Sequence, residues 1–223
     1  MIDYTNELSN NIVDSIIESS SVELTAEITE FSIDKLLDDS LFKEIPWVGW
    51  IFKAKNIYTT LSDRILLSKI IRFLISLDDI PEEKKKEFRT KLESDKKFKE
   101  RAGSTLFVLI DKLDDLEKPR MLSKIFSYYL KGYISFSDFH KLSDSVSLAF
   151  IGDLKDLVSM GSVNPTQKLD LESLYRSGLS QIQRHNYIET RIGHSELNIG
   201  FEVSSLGGLF VQILNDSLKE PKQ

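Results

Sequence analysis

The sequence predicts a mainly α fold: a multi-helix bundle around a long central helix, with a small C-terminal α+β hairpin module. Three observations predict it. Apolar residues recur at spacings of three and four through most of the chain, which is the pattern of one buried helical face. The stretch Glu44–Asp78, EIPWVGWIFKAKNIYTTLSDRILLSKIIRFLISLD, is the longest and most apolar of these patterns. After Gly161–Pro165, GSVNP, the pattern changes to short segments separated by polar residues and glycine. The expected division is therefore a helical bundle over 1–160 and a separate module over 161–223.

Taken in order, Asn6–Ser19 places Leu8, Ile12, Val13, Ile16 and Ile17 on one helical face. Ser19–Ser21 breaks the pattern, and Leu24, Ile28, Phe31, Leu36 and Leu37 mark a second amphipathic run. Pro46 suits a helix start, because its missing N–H costs nothing in a first turn. From there the central helix is read as continuous through Ile51, Tyr58, Leu61, Ile65, Ile70, Phe73 and Leu77. Between Ile65 and Leu77 apolar positions spread around the cylinder, as expected of a helix with neighbours on several sides.

Pro81 followed by Glu82 and Glu83 opens the next helix, with acids where the helix dipole favours them. Its heavily charged remainder reads as a solvated face. Ser94 is placed as the cap of a helix carrying Phe98, Ala102, Leu106, Leu109, Ile110 and Leu113. Gly103 inside that run implies close packing of another backbone. Pro119 opens a helix that Gly132 ends. Ser135 or Ser137 restarts the chain into one long helix, Phe139 to about Met160, with Phe150 inward. Past the break, Leu169–Ser177 is read as a short helix ended by Gly178, Leu179–Arg184 and Ile199–Val203 as extended, and Ser204 or Ser205 as the cap of a last helix. The tail Lys219–Gln223 is expected to fray.

Composition excludes several chemistries. The chain has 223 residues, 41% hydrophobic and 29% charged, the balance of a globular protein with a sizeable core. A net charge of −6 argues against general binding to a phosphate backbone. With no cysteine there is no disulfide framework, thiol nucleophile or cysteine-ligated zinc. The first residues, MIDYTNELSNNIVD, lack the basic and apolar regions of a secretory signal, so a cytoplasmic protein is expected. His140, His185 and His194 have no metal-ligand spacing, so no metal is assigned. No nucleophile elbow, phosphate loop or metalloprotease helix is present, so the reading is non-enzymatic, with no cofactor and no small-molecule substrate.

Two segments look like known modules. Leu130–Leu142, LKGYISFSDFHKL, has the glycine and central aliphatic of an EF-hand loop, but Tyr129 and Lys131 stand where oxygen ligands belong and Asp138 is short for the bidentate position. It is read as a helix–Gly–helix turn. Leu171, Leu174, Gly178, Leu179, Phe201, Val203, Ser205, Leu206, Gly207 and Phe210, within LESLYRSGLS and GFEVSSLGGLF, resemble the second half of a degenerate winged-helix module. The resemblance implies a helix, a strand, a wing and a second strand, with earlier helices drawn from before Gly161. The helix KLDLESLYRS, in the recognition position, offers Lys168 and Arg176 against Asp170 and Glu172, which suits protein contact better than a phosphate-lined groove. The rest of the chain resembles small bacterial or phage-type helical proteins.

The leading expectation is a non-catalytic interaction or regulatory protein working through a protein partner or homo-oligomer. A second is a peripheral membrane-associating stress or defence effector, in which Trp47, Trp50, Phe52, Lys53 and Lys55 combine interfacial rings with cations. A third is a nucleic-acid-binding regulator using the wing residues Arg184, His185, Arg191 and His194.

Overall fold

A computed structural model describes residues 9–16, 60–77, 80–160, 170–183 and 200–216. Helices dominate these residues, and one small two-stranded antiparallel sheet lies near the C-terminus. The chain divides into two compact units, Met1–Ser135 and Phe136–Gln223. The first contains α1 (9–16), α2 (Leu61–Ile75), α3 (Glu82–Ser94), α4 (Lys96–Asp111) and α5 (Lys118–Leu130). The second contains α6 (Phe136–Leu148), α7 (Ile151–Ser159), a 3-10 turn (Ser173–Ser177), β1 (Ser180–Ile182), β2 (Phe201–Val203) and α8 (Ser205–Leu214). The division falls ahead of GSVNP because α6 packs on the 3-10 turn and on α8, and α7 packs on α8.

Within the N-terminal unit α2 is the most enclosed element: Leu67 through Ile71, Phe73 and Leu74 are all buried. Burial on consecutive positions matches the spread of apolar residues past Ile65 and means that neighbours surround this helix. Its start differs from expectation. Helix α2 begins after Thr60, whose φ of −107° and ψ of 157° are extended, and the expected stretch from Pro46 to residue 59 lies outside the described residues. Thr60 and Asp63 form a reciprocal capping box: the Asp63 N–H donates to Thr60 Oγ1 at 3.2 Å, and the Thr60 N–H donates to Asp63 Oδ2 at 3.1 Å. Two donors are satisfied there, which marks Thr60 as the start of α2 rather than a position inside a longer helix.

Rings join the helices around α2. Phe126 of α5 lies 5.8 Å from Phe73 of α2 and 6.1 Å, edge-on, from Phe88 of α3, measured between ring centres. Phe88 in turn meets Phe98 of α4 at 6.3 Å. Edge-to-face pairs at these distances add about 1 kcal/mol each beyond area burial. Helix α4 begins at Asp95, not Ser94: the Phe98 N–H donates to Asp95 Oδ1 at 3.0 Å, while the Ser94 hydroxyl turns back to the Lys91 carbonyl. Helix α1 lies hard against α4. A Cβ at Gly103 would come within 2.5 Å of the Ser9 carbonyl oxygen, so the backbone approach implied by that glycine is present. Asp14 and Lys99 bridge the same two helices at 2.6 Å.

Helix α5 carries Pro119 in its first turn, as expected of a helix start, and ends in a Schellman motif. The Tyr133 N–H donates to the Tyr128 carbonyl and the Gly132 N–H to the Tyr129 carbonyl, both at 3.0 Å, with Gly132 at φ 80°. Tyr128 and Tyr133 stack edge-on at 5.4 Å, supplying the apolar contact of that motif. The EF-hand-like segment is therefore a helix stop followed by a helix start. Nothing lies within 4 Å of a Cβ built at Gly132, so the only obstacle to a side chain is φ. Gly132→Ala is expected to cost about 1 kcal/mol, read as a lower urea midpoint at unchanged m-value.

In the C-terminal unit the single helix expected from Phe139 to Met160 is two. Phe150 has ψ 138° and caps α7, so the chain turns between Leu148 and Ile151. Phe150 points outward at 68% exposure rather than inward, and its ring folds over Gly152, whose Cβ would lie 2.7 Å from it. The segment read as a helix over Leu169–Ser177 is, where described, a five-residue 3-10 turn over Ser173–Ser177, ended by Gly178. The two extended stretches are present and paired, with Ser180 opposite Val203, Gln181 opposite Glu202 and Ile182 opposite Phe201.

Isolated two-stranded hairpins are marginal in water. Here four serine hydroxyls hold the base of the sheet. Ser145 of α6 donates to the Ser177 carbonyl at 2.6 Å, Ser177 to the Leu174 carbonyl at 2.7 Å, and Ser180 to the Leu171 carbonyl. Ser204 does two jobs: its hydroxyl donates to the Gly178 carbonyl at 2.6 Å and accepts the Gly207 N–H at 3.0 Å as the cap of α8. At the far end of α8 the Asn215 amide donates to the Val158 carbonyl at 3.1 Å, satisfying an orphan acceptor of α7.

Candidate functional site

Two features stand out among the described residues, a cluster of charge and a set of exposed apolar side chains. The charged cluster surrounds the link between α4 and α5, DKLDDLEKP. Lys69 and Arg72 of α2 and Lys118 of α5 face Asp111, Asp114, Asp115 and Glu117. Lys118 is fully buried and bonded to Asp114, and Lys69 Nζ donates to the Asp111 carbonyl at 3.0 Å. Burial pushes the Lys69 ammonium below its ordinary value, while the charges of Asp111 and Asp114 oppose that shift. Arg72 is lowered by the same cause against Glu117 and Asp115. The arrangement closes the end of α4 on α2.

Its energetic sign can be measured. The folded state holds the Lys69 charge less readily than the unfolded chain, which titrates near ~10.4. Wild type therefore carries the full penalty below the lowered folded value and sheds it as pH rises towards the unfolded one. Lys69→Met is expected to raise the urea midpoint at pH 7, with the advantage over wild type narrowing as pH approaches ~10.4.

Most of the exposed apolar side chains lie in the C-terminal unit. Six of the eight large hydrophobic side chains exposed among the described residues belong to it: Phe136, Leu148, Phe150, Met160, Tyr175 and Ile182. Their positions follow from the local structure. Phe136 heads α6, with its ring 4.9 Å and edge-on from His140. Leu148 and Phe150 flank the break between α6 and α7 and face out on either side of the buried Ala149. Ile182 faces Phe201 across the sheet, and Tyr175 stacks edge-on against Phe201 at 5.7 Å. On the opposite face of the sheet, Gln181 and Glu202 are hydrogen-bonded at 2.8 Å. The hairpin thus has one apolar and one polar face, as strand alternation requires.

Trp47, Trp50, Phe52, Lys53 and Lys55, and the wing residues Arg184, His185, Arg191 and His194, lie outside the described residues. So do the run Leu24–Leu37, the helix start at Pro46, Asp78–Asp79, Lys168 and the tail. Of the histidines, His140 alone is described. Among the described residues no group of His, Asp and Glu is arranged to hold a metal ion, and no helix is long and apolar enough to cross a membrane. Arg176 is exposed on the 3-10 turn, beside Tyr175. The sequence reading missed Tyr175, Leu148 and Phe150 as surface residues. Phe150 fits the helical spacing of Leu142 and Val146, and the extended backbone at Phe150 takes it off that face.

Comparison with known protein families, characterised proteins and solved structures found no match to this chain.

Proposed function

We propose that this chain is a non-catalytic interaction protein acting through a protein partner or a homo-oligomer, with its C-terminal unit as the contact. The observation that carries the reading is the concentration of exposed apolar side chains there, two of them aromatic rings more than half exposed: Phe136 at 52% and Phe150 at 68%. Aromatic side chains are the commonest anchors of protein interfaces, because they bury large area at small entropic cost. A winged-helix-like use of this unit is part of the proposal. Helices before Gly161 join the 3-10 turn, the two strands and α8 in one compact unit, which supports it. Protein contact is favoured over reading of nucleic acid because a five-residue 3-10 turn is too short to lie along a major groove as a recognition helix does. Regulation through such a contact, in the cytoplasm, completes the proposal.

The test is size-exclusion chromatography with light scattering, paired with capture from a lysate, on wild type and on Phe150→Ser with Tyr175→Ser. Wild type is expected to self-associate or to retain a defined partner, and the double variant to weaken that association about tenfold or more. A folded wild-type monomer that retains no partner overturns the proposal.

A further inference from the structure

We draw no further inference here: the strongest candidate, the apolar face that Tyr175, Ile182 and Phe201 form on the two-stranded sheet, belongs to the surface already described, and nothing in the structure shows what covers it.

Discussion

Gly207→Ala is expected to destabilise the C-terminal unit by about 3 kcal/mol, at the upper end of what overpacking costs. A Cβ there would lie 2.1 Å from the Leu179 carbonyl oxygen, 2.9 Å from Val203 Cγ1 and 3.0 Å from the Leu179 carbonyl carbon. Two of those atoms are backbone, so no rotamer change relieves the clash. The first turn of α8 would have to lift from the strands. That movement would also strain the Ser204 cap, because the Gly207 N–H is the group Ser204 accepts. The neighbouring glycine supplies the control. Nothing lies within 4 Å of a Cβ at Gly208, so Gly208→Ala is expected to gain about 0.5–1 kcal/mol through helix propensity. Urea unfolding followed by circular dichroism reads both. Equal midpoints for the two variants would contradict the close approach.

Phe126→Ala is expected to cost about 4 kcal/mol, the range for removing a buried ring and leaving a cavity. Phe126 is 3% exposed and touches rings from α2 and α3 as well as Tyr129 on its own helix. Its loss takes a shared partner from three rings at once, so the surrounding helices cannot collapse on the space independently. Phe126→Leu keeps most of the volume and is expected to lose about 1.5 kcal/mol. The difference between the two is the measure of the cavity. A loss below about 1 kcal/mol for the alanine variant would mean that Phe126 is not the junction described.

Much of the fold was legible where local chemistry and apolar spacing agree. Pro81 before two glutamates, Pro119 at a helix start, Gly132 as a stop and Ser204 as a cap each act within one turn of the chain, and each stands where the residues place it. The paired strands were legible as short runs between Gly178 and Ser204. The two misread helix boundaries, at Thr60 and Phe150, share one cause: apolar spacing continued through a backbone break. Thr60–Leu61–Ser62–Asp63 carries a capping-box pattern, with Asp in place of the usual Glu, and that signal marks the start of α2 inside the longer apolar run. At Phe150 no cap residue announces the break, since its side chain makes no capping hydrogen bond. Ser94 and Asp95 are both good cap residues, and which one acts depends on backbone geometry, not composition.

The candidate surface was less legible than the fold. Phe150 was read as core because spacing alone cannot report where the backbone leaves the helix, and the other exposed apolar residues of the C-terminal unit carried no signal of their exposure. Acids at a helix end suit turn chemistry, and the charged link after α4 carries several. That holds for Asp115, which accepts the Glu117 N–H at 2.7 Å, but the burial of Lys118 depends on tertiary packing that no local pattern encodes.

The serine bonds around Ser180 and Ser204 sit at one end of the little hairpin, away from its tip. Strand registry is thereby dictated from the root, and the connector over 183–200 need not encode it. Doubling the length of such a connector adds only about 0.6 kcal/mol of closure entropy. Evolution or an engineer can lengthen, shorten or rewrite that connector while the root keeps the two strands in step.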